Sequence, residues 1–79
     1  MSETAIVDGV RRVVADVLEV SEDELEPMIA LEQFSSWDSL RALNILLALE
    51  ERFGVEMSPD DLSEMTSVEA IASTVSSRC

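Results

Sequence analysis

The sequence predicts an all-α fold, a small four-helix bundle with three longer helices, a short third helix, and a long loop between the first and second helices. Apolar residues form 47% of the chain but aromatic residues only 4%, which favours aliphatic helix packing over a sheet. Two Gly and two Pro leave little of the turn chemistry that many short strands require. The 79 residues fit one domain, 1–79, of modest stability, because a chain of this size buries only about 60% of its unfolded surface.

The first helix is expected at about residues 3–18. Apolar residues recur there at three- and four-residue intervals and form one face of a helix, namely Ile6, Val10, Val13, Val14 and Val17. The many valines lower helix propensity, so a strand over residues 13–20 is the alternative. The length of the periodic run favours the helix.

The second helix is expected at about residues 38–53, where leucines occupy most of the circumference. Such a helix is usually central and packed on several sides. Asp38 is a suitable N-cap, and Gly54 can adopt the left-handed conformation that ends a helix. The capping residues therefore define both ends of this element.

Two shorter helices are expected after it. Ser58 followed by Pro59 combines a capping residue with proline at the first helical position, which predicts a short helix over residues 59–64. The segment from Thr66 to Glu69 fits a capping box and predicts a last helix at about residues 67–77.

A long connection, residues 19–37, separates the first two helices. Structureless loops of this length are uncommon in compact domains and are often functional. The spacing of Ser21 and Glu24 predicts one helical turn, and Pro27 interrupts any longer helix. An inert packed connector explains the apolar residues of the loop, but it does not explain why the loop leads into Asp38-Ser39.

The residue types exclude most catalytic chemistry. The chain has no His, Lys or Tyr, so Ser39 has no base to activate it and a Ser-His-Asp triad is impossible. Metal sites built from Cys and His are excluded by composition as well. We therefore expect neither an enzymatic activity of its own nor a metal site.

The charge balance is strongly acidic, with 17 Asp and Glu against 5 Lys and Arg, a net charge of −12. Such a surface repels nucleic acid and anionic membranes and speeds encounters with basic protein partners. A second interpretation is that the acids only keep a small domain in solution. The concentration of acids between residues 21 and 38 slightly favours the first.

Targeting signals and cysteine usage indicate the cytoplasm. The N-terminus lacks the basic region and apolar run of a signal peptide, and no apolar stretch reaches membrane-spanning length. The single cysteine, Cys79, cannot form an internal disulfide, and we assign it no role. We expect a cytoplasmic monomer that binds neither nucleic acid nor membranes, and the start at Met1 favours a free-standing chain over the alternative, a domain excised from a larger synthase.

Three segments together resemble the acyl and peptidyl carrier proteins. They are Trp37-Asp38-Ser39-Leu40, the run Leu49-Glu50-Glu51-Arg52-Phe53-Gly54, and the stretch from Leu62 to Val68. The resemblance spans essentially the whole chain and implies a single carrier domain. It implies that Ser39, flanked by Asp38 and Leu40, receives 4′-phosphopantetheine from coenzyme A through a separate phosphopantetheinyl transferase. Acyl or aminoacyl intermediates would then be held as thioesters on the thiol of that arm.

The resemblance also implies loading and downstream biosynthetic enzymes as partners. Leu40 and Met65 are candidates for apolar partner contacts beside the arm, with Trp37, Arg41 and Asn44 around them. For Leu40 the alternative is ordinary core packing. Trp37 either covers the loop or is itself a partner contact.

The chain departs from the family pattern after Ser39. Fatty-acid carriers typically place acidic residues soon after Asp-Ser-Leu, where this chain has Arg41 and Asn44, and like charges across an interface are unfavourable. The Gly-Gly common before the motif of peptidyl carriers is replaced by Ser35-Ser36. We therefore predict a discrete carrier in polyketide, nonribosomal peptide or hybrid biosynthesis. The alternatives are a carrier of fatty-acid synthesis and an unmodified acidic helical protein-interaction module.

Overall fold

The computed structural model describes residues 3–78, and Cys79 lies outside them. The longer helices are α1 (Glu3–Leu18), α2 (Ser39–Phe53) and α3 (Val68–Arg78). Short 3-10 helices occupy Glu22–Glu24, Leu31–Gln33 and Pro59–Glu64. The predicted all-α fold, with three longer helices and a short one before the last, is confirmed. Among the described residues no helix is long and apolar enough to cross a membrane.

Helix α1 is the element that both other long helices contact. Its residues Val10 and Val14 are fully buried, and the backbone is helical as far as Leu18, so the strand alternative for this segment is wrong. Burial of branched side chains between two helices outweighs the lower helix propensity of valine, which is worth only tenths of a kcal/mol per residue.

Helix α2 is packed on one side only, which corrects the prediction of a central helix. Ala42, Ile45, Leu46 and Leu49 form its buried face. Its other leucines face solvent, since Leu40, Leu43 and Leu47 are 66%, 38% and 53% exposed. Helix α1 and the 3-10 helix Pro59–Glu64 are the main elements that pack on α2, and they leave the opposite face uncovered.

Both ends of α2 are capped as predicted. The Asp38 carboxylate accepts a hydrogen bond of 2.7 Å from the Arg41 N–H, and the helix begins at Ser39. Gly54 has a φ of 65°, in the left-handed region, and donates its N–H to the Glu50 carbonyl at 2.9 Å. Glycine carries no Cβ penalty in this conformation.

The start of α3 differs from the predicted capping box. Ser67 rather than Thr66 caps the helix, because the Ser67 hydroxyl accepts from the Ala70 N–H at 3.1 Å. The Glu69 N–H donates to the Pro27 carbonyl at 2.9 Å, so the long loop satisfies an amide at this helix start. The Thr66 carbonyl in turn accepts from the Leu31 N–H at 2.9 Å. The hydrogen bond from the Glu69 N–H to the Pro27 carbonyl of the long loop thus takes the place of the predicted capping box between Thr66 and Glu69.

The long loop is packed against the helices. Ser21 and Glu24 form the predicted turn, in which the Ser21 N–H donates to the Glu24 carboxylate at 3.0 Å. Leu25 and Leu31 are buried. Arg11 of α1 donates its Nε–H to the Leu25 carbonyl at 3.0 Å and so fastens the loop to the first helix.

Candidate functional site

Ser39 is exposed at the first position of α2. Its hydroxyl has no hydrogen-bond partner within residues 3–78. The Asp38 carboxylate is directed at the Arg41 N–H and stabilises the helix start. The serine oxygen is therefore accessible from solvent and is held on a rigid, capped element.

Two backbone N–H groups at the start of α2, those of Ser39 and Leu40, are available to donate to a ligand. The Ala42 N–H donates to the Asp38 carbonyl at 2.9 Å, which is the first hydrogen bond of α2. The Arg41 N–H donates to the Asp38 carboxylate and is therefore also satisfied. Within the described chain the N–H groups of Ser39 and Leu40 have no acceptor. Free amides at a helix N-terminus, with the positive end of the helix dipole, favour a phosphate group. The residues thus fit a phosphodiester on Ser39.

A shallow depression of about 410 Å³ opens beside Ser39. It is lined by Trp37, Asp38, Ser39, Ala42, Leu62 and Ser63. A second depression, of about 220 Å³, lies next to it and shares Trp37, Leu62 and Ser63. Trp37 is half-buried, packs against the core and borders both depressions, while its role as a partner contact stays a prediction.

An apolar stripe, Leu40, Leu43 and Leu47, runs along α2 from the Ser39 end. Asn44 is exposed and lies four residues from Leu40, on the same side of the helix. The exposure of Leu40 excludes the core-packing alternative for this residue. Leu40 and Asn44 are therefore both accessible to a partner that approaches Ser39.

The structure gives Arg41 and Met65 intramolecular contacts that the sequence did not indicate. The Arg41 guanidinium turns toward α1, where Nη1 donates to the Val17 carbonyl at 2.6 Å and lies 3.7 Å from Glu19 Oε2. Met65 is only 1% exposed, although it is among the residues that line the second depression, and its role as an apolar partner contact stays a prediction. Met65 follows the 3-10 helix and belongs to the buried core, whereas Leu62 is half-buried and borders both depressions.

Comparison with known proteins agrees with this arrangement. The family model described as "Phosphopantetheine attachment site" matches residues 8–75. The fold and this match define a carrier domain, and the chain belongs to the phosphopantetheine-binding carrier family. Carriers of this family are not catalytic enzymes; their cofactor is covalently bound 4′-phosphopantetheine, and they interact with phosphopantetheinyl transferases and biosynthetic enzymes.

Relatives cover nearly the whole chain. An acyl carrier protein of Thermosynechococcus vestitus is 27% identical over 78 residues, 99% of this chain and 96% of the relative. The polyketide-8 synthase acyl carrier protein 1 of Streptomyces avermitilis is 36% identical over 67 residues, 85% of this chain and 80% of the relative. A free-standing peptidyl carrier protein from an uncharacterised secondary metabolic pathway of Acinetobacter baumannii shares the fold, with a TM-score of 0.83, 22% identity, and coverage of 96% and 94%.

Proposed function

We propose that Ser39 is the residue that bears the 4′-phosphopantetheine of this carrier. The observation that carries the proposal is the Ser39 hydroxyl, exposed at the first position of α2 without an intramolecular partner and inside the matched region 8–75. The bound group supplies a flexible arm ending in a thiol, on which acyl or aminoacyl intermediates are held as thioesters. The domain then acts by delivery, since tethering raises the effective concentration of the cargo at a docked enzyme.

Each neighbour of Ser39 has a separate role in this proposal. Asp38 caps α2 and keeps the serine at the helix start. The N–H groups of Ser39 and Leu40 offer donors to the phosphate, in line with the dipole of α2. The chain has no His, Lys or Tyr to deprotonate the hydroxyl, so the base must belong to the transferase.

The exposed face of α2 is the proposed docking surface for loading and downstream enzymes. Leu40 and Asn44 would contact the partner directly, and Trp37 would border the path of the arm. Arg41 would contribute only the edge of its guanidinium, because it is engaged with α1. The three leucines contribute apolar burial, which salt does not screen, whereas attraction between the net charge of −12 and a basic partner weakens as ionic strength rises.

We further propose a carrier of polyketide, nonribosomal peptide or hybrid biosynthesis. The face that follows Ser39 supports this, since it presents leucines and Asn44 rather than the acids of a fatty-acid carrier. The 36% identity to a carrier named for a polyketide synthase also supports it. Fatty-acid synthesis remains the second candidate, because other relatives are named simply acyl carrier protein.

The test of Ser39 is intact mass after incubation with coenzyme A and a broad-specificity phosphopantetheinyl transferase, beside Ser39→Ala. We expect the wild type to gain one phosphopantetheine and the variant to gain none. The variant should remain folded, because the hydroxyl makes no hydrogen bond in the described chain and such surface changes cost about 0.5 kcal/mol or less. A folded wild type that gains no mass would support the unmodified interaction module instead.

The pathway is tested with the modified carrier. Loading by a malonyl transferase of fatty-acid synthesis is compared with loading by polyketide acyltransferases and by amino-acid adenylating enzymes. We expect the fatty-acid enzyme to load this carrier much more slowly than its own carrier. Equal rates would contradict the specialised pathway and leave the role of Ser39 unaffected.

A further inference from the structure

Two hydrogen bonds fasten the Ser39 segment to the end of α1, one on each side of the serine. The Ser36 hydroxyl donates to the Leu18 carbonyl at 3.0 Å. The Arg41 guanidinium donates to the Val17 carbonyl at 2.6 Å. The segment between these two side chains, residues 37–40, contains Ser39.

Both acceptor carbonyls, those of Val17 and Leu18, belong to the last turn of helix α1, which is distant in sequence from Ser39. Helix α1 ends at Leu18, and the last carbonyls of a helix have no partner within that helix. The positive charge of Arg41 also suits the negative end of the α1 dipole. Glu19 adds an ion pair with Arg41 at 3.7 Å. The end of α1 therefore provides both acceptors and favourable charge for the segment that contains Ser39.

Short-range bonds make this segment a single tethered unit. The Trp37 N–H donates to the Phe34 carbonyl at 3.0 Å, and the Arg41 N–H donates to Asp38 at 2.7 Å. The Ser36 and Arg41 side chains add to the packing of buried Ala42 and of the partly buried Phe34 and Trp37 rings, which also restrict the position of the serine.

We infer that Ser36 and Arg41 are positioning residues for the modification of Ser39, an inference that rests on the attachment role proposed above. In that reaction the Ser39 oxygen forms a bond to the phosphorus that bears pantetheine in coenzyme A. The bond from this phosphorus to the bridging oxygen breaks, adenosine 3′,5′-bisphosphate leaves, and the hydroxyl proton passes to a base of the transferase. Ser36 and Arg41 hold the attacking oxygen where a docked transferase meets it.

The inference predicts which kinetic constant changes. Loss of the Ser36 or Arg41 hydrogen bond lowers the fraction of carrier whose segment is in the binding-competent conformation. The apparent affinity for the transferase falls in proportion to that fraction. The transferase then reorders the segment on binding, so the KM for the carrier rises while kcat stays nearly constant. From the net worth of one hydrogen bond, the ratio of released to tethered segment should rise about fivefold for Ser36→Ala and about tenfold for Arg41→Met, and KM should rise by at most these factors.

The experiment measures transferase kinetics on the full chain with coenzyme A, by intact mass. Arg11→Met is the matched control, because Arg11 also fastens the loop to α1 through a carbonyl, that of Leu25 at 3.0 Å. It changes the net charge as Arg41→Met does and removes a bond of the same kind. We expect a wild-type KM for Arg11→Met and substantial recovery for Arg41→Lys, which retains a donor and the charge.

A measurement on the free carrier separates positioning from direct contact with the transferase. Trp37 is the only tryptophan and lies inside the tethered segment. We expect Ser36→Ala and Arg41→Met to raise acrylamide quenching of Trp37 and to lower its fluorescence anisotropy, while Arg11→Met leaves both unchanged.

Two results would overturn the inference. The first is that Ser36→Ala and Arg41→Met both have the same KM and the same Trp37 quenching as the wild type. The other is a raised KM for Arg41→Met alone with unchanged quenching, which would make Arg41 a transferase contact. Ser36→Ala removes only a hydroxyl and so remains decisive if Arg41→Met unfolds. A wild type that is not modified would instead refute the role of Ser39 itself.

Discussion

The Arg78 guanidinium binds the Asp61 carboxylate through two hydrogen bonds of 2.7 and 2.6 Å. Asp61 also accepts the Ser58 N–H at 2.8 Å, and its carboxylate is the one charged group buried among the described residues. This pair joins the 3-10 helix that borders the Ser39 depression to the end of α3. It therefore couples the wall of the candidate site to the helical core.

This pair predicts a specific loss of stability in acid. Hydrogen bonds from Arg78, then from the Ser58 backbone, lower the pKa of Asp61 below its ordinary value. A carboxylate with a lowered folded-state pKa stabilises the fold above its unfolded pKa, near 3.9, and this stabilisation is lost as pH falls through the folded value. We expect Asp61→Asn to lower the thermal midpoint at pH 7 and to differ much less from wild type near pH 2.

The control for that prediction is Asp60→Asn, which neutralises the adjacent but exposed carboxylate. Asp60 makes no ion pair in the described chain, so its variant should follow the wild-type pH profile closely. If Asp61→Asn lowers the thermal midpoint by the same amount at pH 7 and near pH 2, lost packing rather than lost charge is responsible.

Adjacent leucines of α2 should differ sharply in their contribution to stability. Leu46 is 3% exposed and Leu47 is 53% exposed. Leu46→Ala should cost about 2–5 kcal/mol, since it leaves a cavity in the core, whereas Leu47→Ala should cost roughly 0.5 kcal/mol or less. Chemical denaturation measures both, and equal losses would mean that α2 is packed on both faces after all.

The Leu47→Ala substitution also tests the proposed docking surface on α2. We expect Leu47→Ala, and more strongly Leu40→Ala, to weaken association of the modified carrier with its cognate enzymes while leaving the fold intact. Asn44→Ala on the same side should have a smaller effect because less apolar area is lost. Titration of the carriers against one enzyme at low and high salt checks this, and unchanged affinity for Leu40→Ala would exclude the stripe as the contact.

The sequence predicted those features that depend on local geometry. The cap at Asp38, the left-handed Gly54 and the turn begun by Ser21 each involve residues within four positions of one another. Such interactions are visible in spacing because the chain itself brings the partners together. The exposed serine at a helix start followed from the same kind of evidence.

Features that depend on distant partners were not predictable. Leucine on both faces of α2 indicated burial on both, but only the tertiary arrangement shows which leucines lack a covering element. The burial of Met65 was missed for the same reason. The hydrogen bonds of Ser36 and Arg41 to α1 span 18 and 24 residues, and no sequence spacing encodes such contacts.

The two possible caps of α3 can be distinguished by mutation. Ser67→Ala removes the acceptor for the Ala70 N–H and should cost about 1 kcal/mol. Thr66→Ala should cost less, because only the Thr66 backbone carbonyl is engaged, with the Leu31 N–H. Thermal unfolding of the two variants is the measurement. A greater loss for Thr66→Ala would restore the capping box that the sequence suggested.

Glu19 adopts a backbone conformation that a side chain disfavours, so the protein should be more stable with glycine at this position than with alanine. Its φ of 57° lies in the left-handed region, just past the end of α1, where glycine is preferred. The Val20 N–H closes the helix end by donating to the Ala15 carbonyl at 3.1 Å, which requires this turn. We expect Glu19→Gly to be about 1 kcal/mol more stable than Glu19→Ala, which loses the same exposed pair with Arg41 but keeps the Cβ. Chemical denaturation of the two variants decides, and equal stabilities would mean that the backbone at this position is not strained.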